Sequence, residues 1–239
     1  MTDIEEILSV KNHRTFEYPK GKWSYYQEWN RALFLHWKIP IEILQELVPE
    51  QLNIDVLEGE SYVSLVAFTM EKIRPKHLPA IDFISNFDEI NIRTYVNNDN
   101  KKGVYFLNIE AQKKLSVFIA KQLSGLPYEK ANIQRDNNTY RSNNLLKGYH
   151  LHAQYEIKEV LNRKTELENW LTERYCLYVD NKSSIYRYNV HHKEWVLRNL
   201  DLKQLNLKYI IGKLNLTNKP DFVHYSDGVQ VVAWDKQKL

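Results

Sequence analysis

The chain has a single cysteine, Cys176, two methionines, and only seven glycines and seven prolines in 239 residues. One cysteine excludes an internal disulfide and any zinc site built from a cysteine cluster, and it fits a reducing compartment. No glycine-rich phosphate loop or dinucleotide fingerprint is present, and no serine sits in a nucleophile elbow, which argues against nucleotide-dependent chemistry. No apolar run is long enough to cross a bilayer. The amino terminus, MTDIEEILSVKNHR, is acidic and lacks the apolar centre of a signal peptide, so a cytoplasmic protein without a membrane partner is expected. Thirty-three basic against thirty acidic residues leave a formal charge of +3 without a basic block. The electrostatic footprint of a nucleic-acid binder is therefore missing.

What is plentiful is aromatic. Sixteen tyrosines and six tryptophans, in a chain that is 43% hydrophobic, suit pleated, half-buried surfaces better than a helical bundle. β structure should dominate around a sizeable core.

The organising stretch is 87–128, which reads as strand, turn, strand, helix and a sharp exit at Gly125 and Pro127. In its first strand Ile90, Ile92, Thr94 and Val96 alternate with Glu89, Asn91, Arg93 and Tyr95. A two-residue period puts a carboxylate, an amide, a guanidinium and a phenol on one face. The neighbouring strands are apolar on both faces, and polar groups enclosed by such strands must pair with each other or with a ligand.

Elsewhere the pattern predicts a short amino-terminal helix capped by Thr2 or Asp3 and carrying Ile4, Ile7 and Leu8, then a strand over 32–37. A helix follows Pro40, with Ile41, Leu44 and Leu47 on one stripe. Segments 52–56 and 62–70 read as a hairpin around Glu58-Gly59; the second strand, apolar on both faces, should be central. Residues 73–83, with two prolines and no period, read as a loop of the kind that borders sites. Gly103 is expected to supply a positive φ in the 97–103 turn, and an amphipathic helix is expected over 111–124. The asparagine-rich 131–144 reads as an exposed ribbon before a half-buried strand with Leu151, Ala153, Tyr155 and Ile157. Thr165 and Glu168 fit a capping box. Strands at 175–179 and 185–190, and a final hairpin turning at Ser226-Asp227-Gly228, complete a single domain over 23–239 behind a lead-in of 1–22.

FLHWKIP at 34–40, LVPEQLNID at 47–55, YVSLVAF at 62–68, EINIRTYV at 89–96 and GLPY at 125–128 together resemble the YqjF-like family of uncharacterised bacterial proteins. TERYCLY at 172–178, HHKEW at 191–195 and HYSDGVQVVAW at 224–234 extend the likeness. That family is grouped by similarity with the acetoacetate decarboxylase-like fold. The resemblance implies an α+β, β-dominated architecture: an antiparallel β-cone or barrel-like sheet flanked by helices, with a pocket inside. The decarboxylases use two consecutive lysines, the first forming a Schiff base while the second lowers its pKa. Here the similar segment QLSGLPYEK departs after Pro127, with Tyr128 in the reactive lysine's place and Glu129 beside it. Lys130, two residues on, would share the face of Tyr128 if the strand continues. By the same resemblance Glu89 corresponds to an assisting acid.

The residues leave two readings open. Glu89, Arg93 and Tyr128, with Asn91 and Tyr95 and on compatible faces Asn108 and Glu110, can bind a small organic acid or carbonyl compound. Arg93 would clamp the charged end, Glu89 would act as acid or base, and Lys130 would be the one inherited route to a Schiff base. Equally, Glu89 and Arg93 can be an internal ion pair that holds the sheet together, in a structural or partner-binding protein with a filled core. The first reading covers both a binding protein and an enzyme of lyase or hydrolase type. No cofactor is implied. His150 and His152, and adjacent His191 and His192, have no carboxylate at a metal-ligand spacing, so no metal is expected. Cys176 reads as core, and Trp29, Trp37, Trp195 and Trp234 as packing residues or pocket lining.

Overall fold

The computed structural model describes residues 3–112, 128–181 and 184–239. The helix expected over 111–124 and the exit at Gly125 and Pro127 lie outside the described residues, except Ala111, which ends a strand, and Gln112, which follows it in a bend. In chain order the elements begin with α1 (Asp3–Ser9), β1 (Tyr25–Lys38), α2 (Ile41–Gln45), β2 (Asn53–Ile54), β3 (Tyr62–Pro75), α3 (Asp82–Ser85), β4 (Phe87–Asn98) and β5 (Lys101–Ala111). They continue with β6 (Tyr128–Lys130), β7 (Asn132–Arg135), β8 (Thr139–Asn144), β9 (Tyr149–Val160), α4 (Glu166–Thr172), β10 (Cys176–Asn181) and β11 (Ser184–His192). The last are β12 (Arg198–Ile211), β13 (Leu214–Leu216), β14 (Phe222–Ala233) and β15 (Gln237–Lys238).

Seven of these strands close a barrel in the order β5-β4-β3-β1-β14-β11-β10. The ring is completed where β10 pairs parallel with β5, Leu177 opposite Val104. Every other pairing in the ring is antiparallel. The strand over 62–68 is central, as its two apolar faces require: Val66 and Phe68 point into the barrel, and Val63, Leu65 and Ala67 point out. Strands β12, β9, β8 and β7 continue the sheet as a wing. Its inner face, with Ile133, Tyr140, Leu151, Ala153, Tyr155 and Tyr209, packs on the outer wall formed by Leu33, Leu35, Leu65, Ile90 and Ile92. The largest apolar core thus lies between wing and barrel. A second lies inside the barrel.

Curvature comes from bulges, each an extra residue that bends its strand and resets which face the next residues take. Arg31 (φ 54°) sits where β1 shifts against β3, and Lys72 (φ 53°) where β3 does so again. As a result Ala32 and Phe34, and beyond the bulge Trp29, Gln27 and Tyr25, all face inward. β14 turns with β1 at Gly228 (φ 142°), where a Cβ would stand 2.3 Å from Asn30 Oδ1 and 2.7 Å from the Trp29 carbonyl. Residues 226–228 are therefore a kink within one strand and not the expected hairpin turn.

Other expectations are corrected in the same way. β2 pairs with β4 rather than β3, because the Glu58-Gly59 turn closes only the Leu57–Glu60 bridge. β3 runs to Pro75, so the loop after it is 76–81. In the β4–β5 turn the positive φ values belong to Asp99 (51°) and Asn100 (60°). Gly103 is needed for another reason: a Cβ there would lie 2.3 Å from the Cys176 carbonyl oxygen, where β10 closes the barrel. The 131–144 ribbon buries one face, Ile133 and Tyr140 included, against the barrel. The capping box is formed in full, Glu168 N donating to Thr165 Oγ1 at 3.2 Å and Thr165 N to Glu168 Oε2 at 2.6 Å. It fixes α4, whose Trp170 and Leu171 pack with Tyr62 and Tyr95 across one end of the barrel. α1 packs on the outer wall through Ile7, against Tyr26, Val232 and Trp234. Among the described residues no helix is long and apolar enough to cross a membrane.

Candidate functional site

β4 alternates without interruption from Phe87 to Tyr95, so Glu89, Asn91, Arg93 and Tyr95 all point into the barrel. Asn108 and Glu110 do not join them. The register between β4 and β5 slips at Leu107, setting Asn91 opposite Ile109 and Arg93 opposite Phe106. Asn108 and Glu110 pair instead with Ile92 and Ile90, which face the wing. There Glu110 accepts hydrogen bonds from Asn144 Nδ2 (2.9 Å) and Tyr209 Oη (3.1 Å).

Inside the barrel lies a cavity walled by Trp29, Phe68, Met70, Phe106, Tyr188 and Trp195, with Glu89, Asn91, Arg93 and Tyr128 as its polar side. The space open to water-sized molecules is about 60 Å³, several times what one water needs. Tyr128 arrives through β6, which pairs parallel with β5, Ile109 opposite Tyr128. Its Oη donates to Glu89 Oε2 at 3.1 Å, and Asn91 Nδ2 donates to Glu89 Oε1 at 3.3 Å.

Burial pushes the Glu89 carboxyl up to about 7, against the pull of Asn91, Tyr128 and the Arg93 charge. The same burial, reinforced by Glu89, raises the Tyr128 hydroxyl well above its usual value. Arg93 is buried as well, which lowers its pKa from the usual value; Tyr95 and Glu89 pull it back up. Glu89 and Arg93 thus act on each other through space, while each makes its hydrogen bonds elsewhere. Arg93 Nε, Asn91 Oδ1, Trp29 Nε1 and Tyr188 Oη are buried without a hydrogen-bond partner among the described residues.

Two of the residues singled out in the sequence do not line this cavity. Tyr95 is one layer deeper, its Oη 2.5 Å from Ser64 Oγ and donating to the Leu171 carbonyl at 3.0 Å, with Trp170 against its ring. From there it acts on Arg93, pulling its pKa back up by charge and by a hydrogen bond. Lys130 is exposed at the barrel edge, opposite Ala111 on β5. Of the four tryptophans, Trp29 and Trp195 line the cavity, while Trp37 and Trp234 belong to the packing outside it. Local alternation does not single out Tyr188, Gln27 and Phe106, because only barrel closure, the bulge at Arg31 and the slip at Leu107 turn them toward β4. His192 packs against Trp29 and Trp195. His191 faces the other way, within 2.9 Å of the Ile7 carbonyl. Burial raises the Cys176 thiol to about 11, leaving it inert at neutral pH.

The family model for DUF2071, described as an uncharacterized conserved protein, matches residues 26–230. The chain belongs to the DUF2071 family. This DUF2071 member is 31% identical over 228 residues to the uncharacterized protein YqjF of Bacillus subtilis (strain 168), covering 92% of this chain and 94% of YqjF. Among solved structures it is similar to the enduracididine biosynthesis enzyme MppR complexed with pyruvate, with a TM-score of 0.61 at 7% identity over 94% of this chain and 91% of MppR. It is also similar to an acetoacetate decarboxylase-like enzyme from Sphingomonas wittichii RW1, with a TM-score of 0.58 at 11% identity over 92% and 94% of the two chains. At such identities these likenesses establish that the DUF2071 chain has the acetoacetate decarboxylase-like fold, and nothing about its chemistry.

Proposed function

We propose that this protein holds a small organic acid or carbonyl compound non-covalently inside the barrel, with Tyr128 in the place where the decarboxylases carry their reactive lysine. One observation carries the reading. Hydrogen-bonding atoms without partners among the described residues, Arg93 Nε, Trp29 Nε1, Tyr188 Oη and Asn91 Oδ1, belong to residues that line a single, mostly apolar cavity beside a carboxyl held near neutrality. Buried polar atoms of this kind are normally paired. Three of the four are donors, which suits the oxygen-rich end of an acid, with Arg93 supplying charge and the aromatic walls taking the apolar part. A purely structural role for Glu89 and Arg93 would join them in a closed ion pair with no space alongside, which is not their arrangement. MppR, a structural neighbour, is described in complex with pyruvate, and that makes a small 2-oxo acid the first ligand to try.

The test is ligand-observed saturation-transfer NMR with pyruvate, acetoacetate and their neutral methyl esters, on wild type and Arg93→Met. The acids should bind wild type, and Arg93→Met should weaken them at least tenfold while leaving the esters nearly unchanged. If no acid binds, or if Arg93→Met binds them equally well, the reading is wrong. Borohydride treatment of the loaded protein should leave its intact mass unchanged. An adduct on Lys130 would replace non-covalent binding with a Schiff base.

A further inference from the structure

We infer that the barrel catalyses reversible proton transfer at the carbon next to the carbonyl of a bound 2-oxo acid, an enolisation without a lysine, with Glu89 moving the proton. This inference rests on the pocket reading above and adds a reaction to it. None of the described residues that line the cavity is a lysine, so the step is built on those residues without a Schiff base. The described titratable groups that line it with Glu89 are Arg93, Tyr25, Tyr128 and Tyr188. Burial raises all three tyrosines further above their usual value and leaves Arg93 a cation. Glu89 is thus the one group of this set that can give and take a proton near neutrality, where a general base is most effective.

Its surroundings fit the electron flow. In the ionised state Glu89 accepts from Tyr128 Oη and Asn91 Nδ2, which fix the carboxylate plane and leave lone pairs free. A Glu89 oxygen removes a proton from the carbon beside the ligand carbonyl. The C–H electron pair becomes the C=C bond of the enolate, and the carbonyl π pair moves onto oxygen. As Glu89 takes the proton it becomes a weaker acceptor, and the Tyr128 hydroxyl is released to donate to the new oxyanion. Arg93 balances the charge, with its Nε–H, unpartnered among the described residues, available to the ligand. Return of the proton from Glu89 to carbon restores the keto form, so no co-reactant is consumed. Exchange of the Glu89 proton with water between turnovers would put solvent hydrogen into the ligand.

The experiment is proton NMR of pyruvate in D2O with the full chain, following loss of the methyl signal, alongside saturation transfer to report binding. Wild type should exchange the methyl protons at least tenfold faster than buffer. Glu89→Gln should bind pyruvate and exchange no faster than buffer, and Tyr128→Phe should exchange more slowly than wild type. If pyruvate binds wild type and its methyl protons exchange only at the buffer rate, or if folded Glu89→Gln exchanges as fast as wild type, the inference is overturned while the pocket reading stands. If pyruvate does not bind, the inference falls, and the pocket reading falls with it only if acetoacetate does not bind either. Should Glu89→Gln fail to fold, the wild-type rate against pH decides instead: it should rise as Glu89 ionises and level off above neutral, and an enzyme-dependent rate flat from pH 5 to 9 overturns the proposal.

Discussion

Tyr128 Oη lies 3.1 Å from Glu89 Oε2, and the two residues come from strands joined only through β5, which lies between them. The bond sets a phenol that will not ionise against a carboxyl that titrates near neutrality. It stabilises the carboxylate more than the acid, so its removal has a definite sign.

Tyr128→Phe should raise the Glu89 titration above its present value of about 7, by roughly one unit for loss of one hydrogen bond to a charged group. A carbon-13 NMR titration of the glutamate side-chain carboxyls would read it directly. An unmoved midpoint would show that the bond does not act on the charge.

The same carboxyl makes stability depend on pH. Its folded value of about 7 lies above the usual 4.5. The stabilisation is therefore complete below the unfolded value and is lost as pH rises through the folded one. At about 1.4 kcal/mol per unit the loss is on the order of 3 kcal/mol between pH 4.5 and 7. Urea unfolding at a series of pH values should show this decline for wild type and a profile flatter by that amount for Glu89→Gln. Parallel profiles would mean that Glu89 is not held up by burial.

Gly228→Ala should cost roughly 1–3 kcal/mol, the range for a side chain forced into a left-handed backbone. The added Cβ would also meet Asn30 and the Trp29 carbonyl. A fall in the urea midpoint checks it; a neutral substitution would show that the β1–β14 kink can relax.

Thr165→Ala should cost about 1 kcal/mol, the usual worth of an N-cap side chain. The effect should centre on α4 and on the end of the barrel that it closes. Hydrogen exchange resolves the two: amides of Glu166–Thr172 should lose protection while those of β3 and β4 keep theirs.

Local rules made much of this protein legible in its sequence. Two-residue alternation put Glu89, Asn91 and Arg93 on one face and made 62–68 a central strand. The capping box at Thr165 and Glu168 was written in residue spacing alone, and the aromatic excess called for sheet. These features depend on contacts between near neighbours in the chain, which a single sequence contains. What only the tertiary structure decided is where alternation breaks and which distant strands meet. The bulges at Arg31 and Lys72 and the slip at Leu107 each cost one residue of register, and that one residue moved Asn108 and Glu110 out of the site and Trp29 and Gln27 into it. Such bulges form because a closed ring of seven strands must bend, a demand on the whole sheet that no local stretch records. The parallel contact of β10 with β5, which brings Leu177 to the cavity wall and lets Gly103 approach Cys176, joins segments more than seventy residues apart. The candidate site is therefore a product of closure: local alternation put its acid and its cation on one strand, and the barrel supplied the walls, the phenol and the burial that raises Glu89.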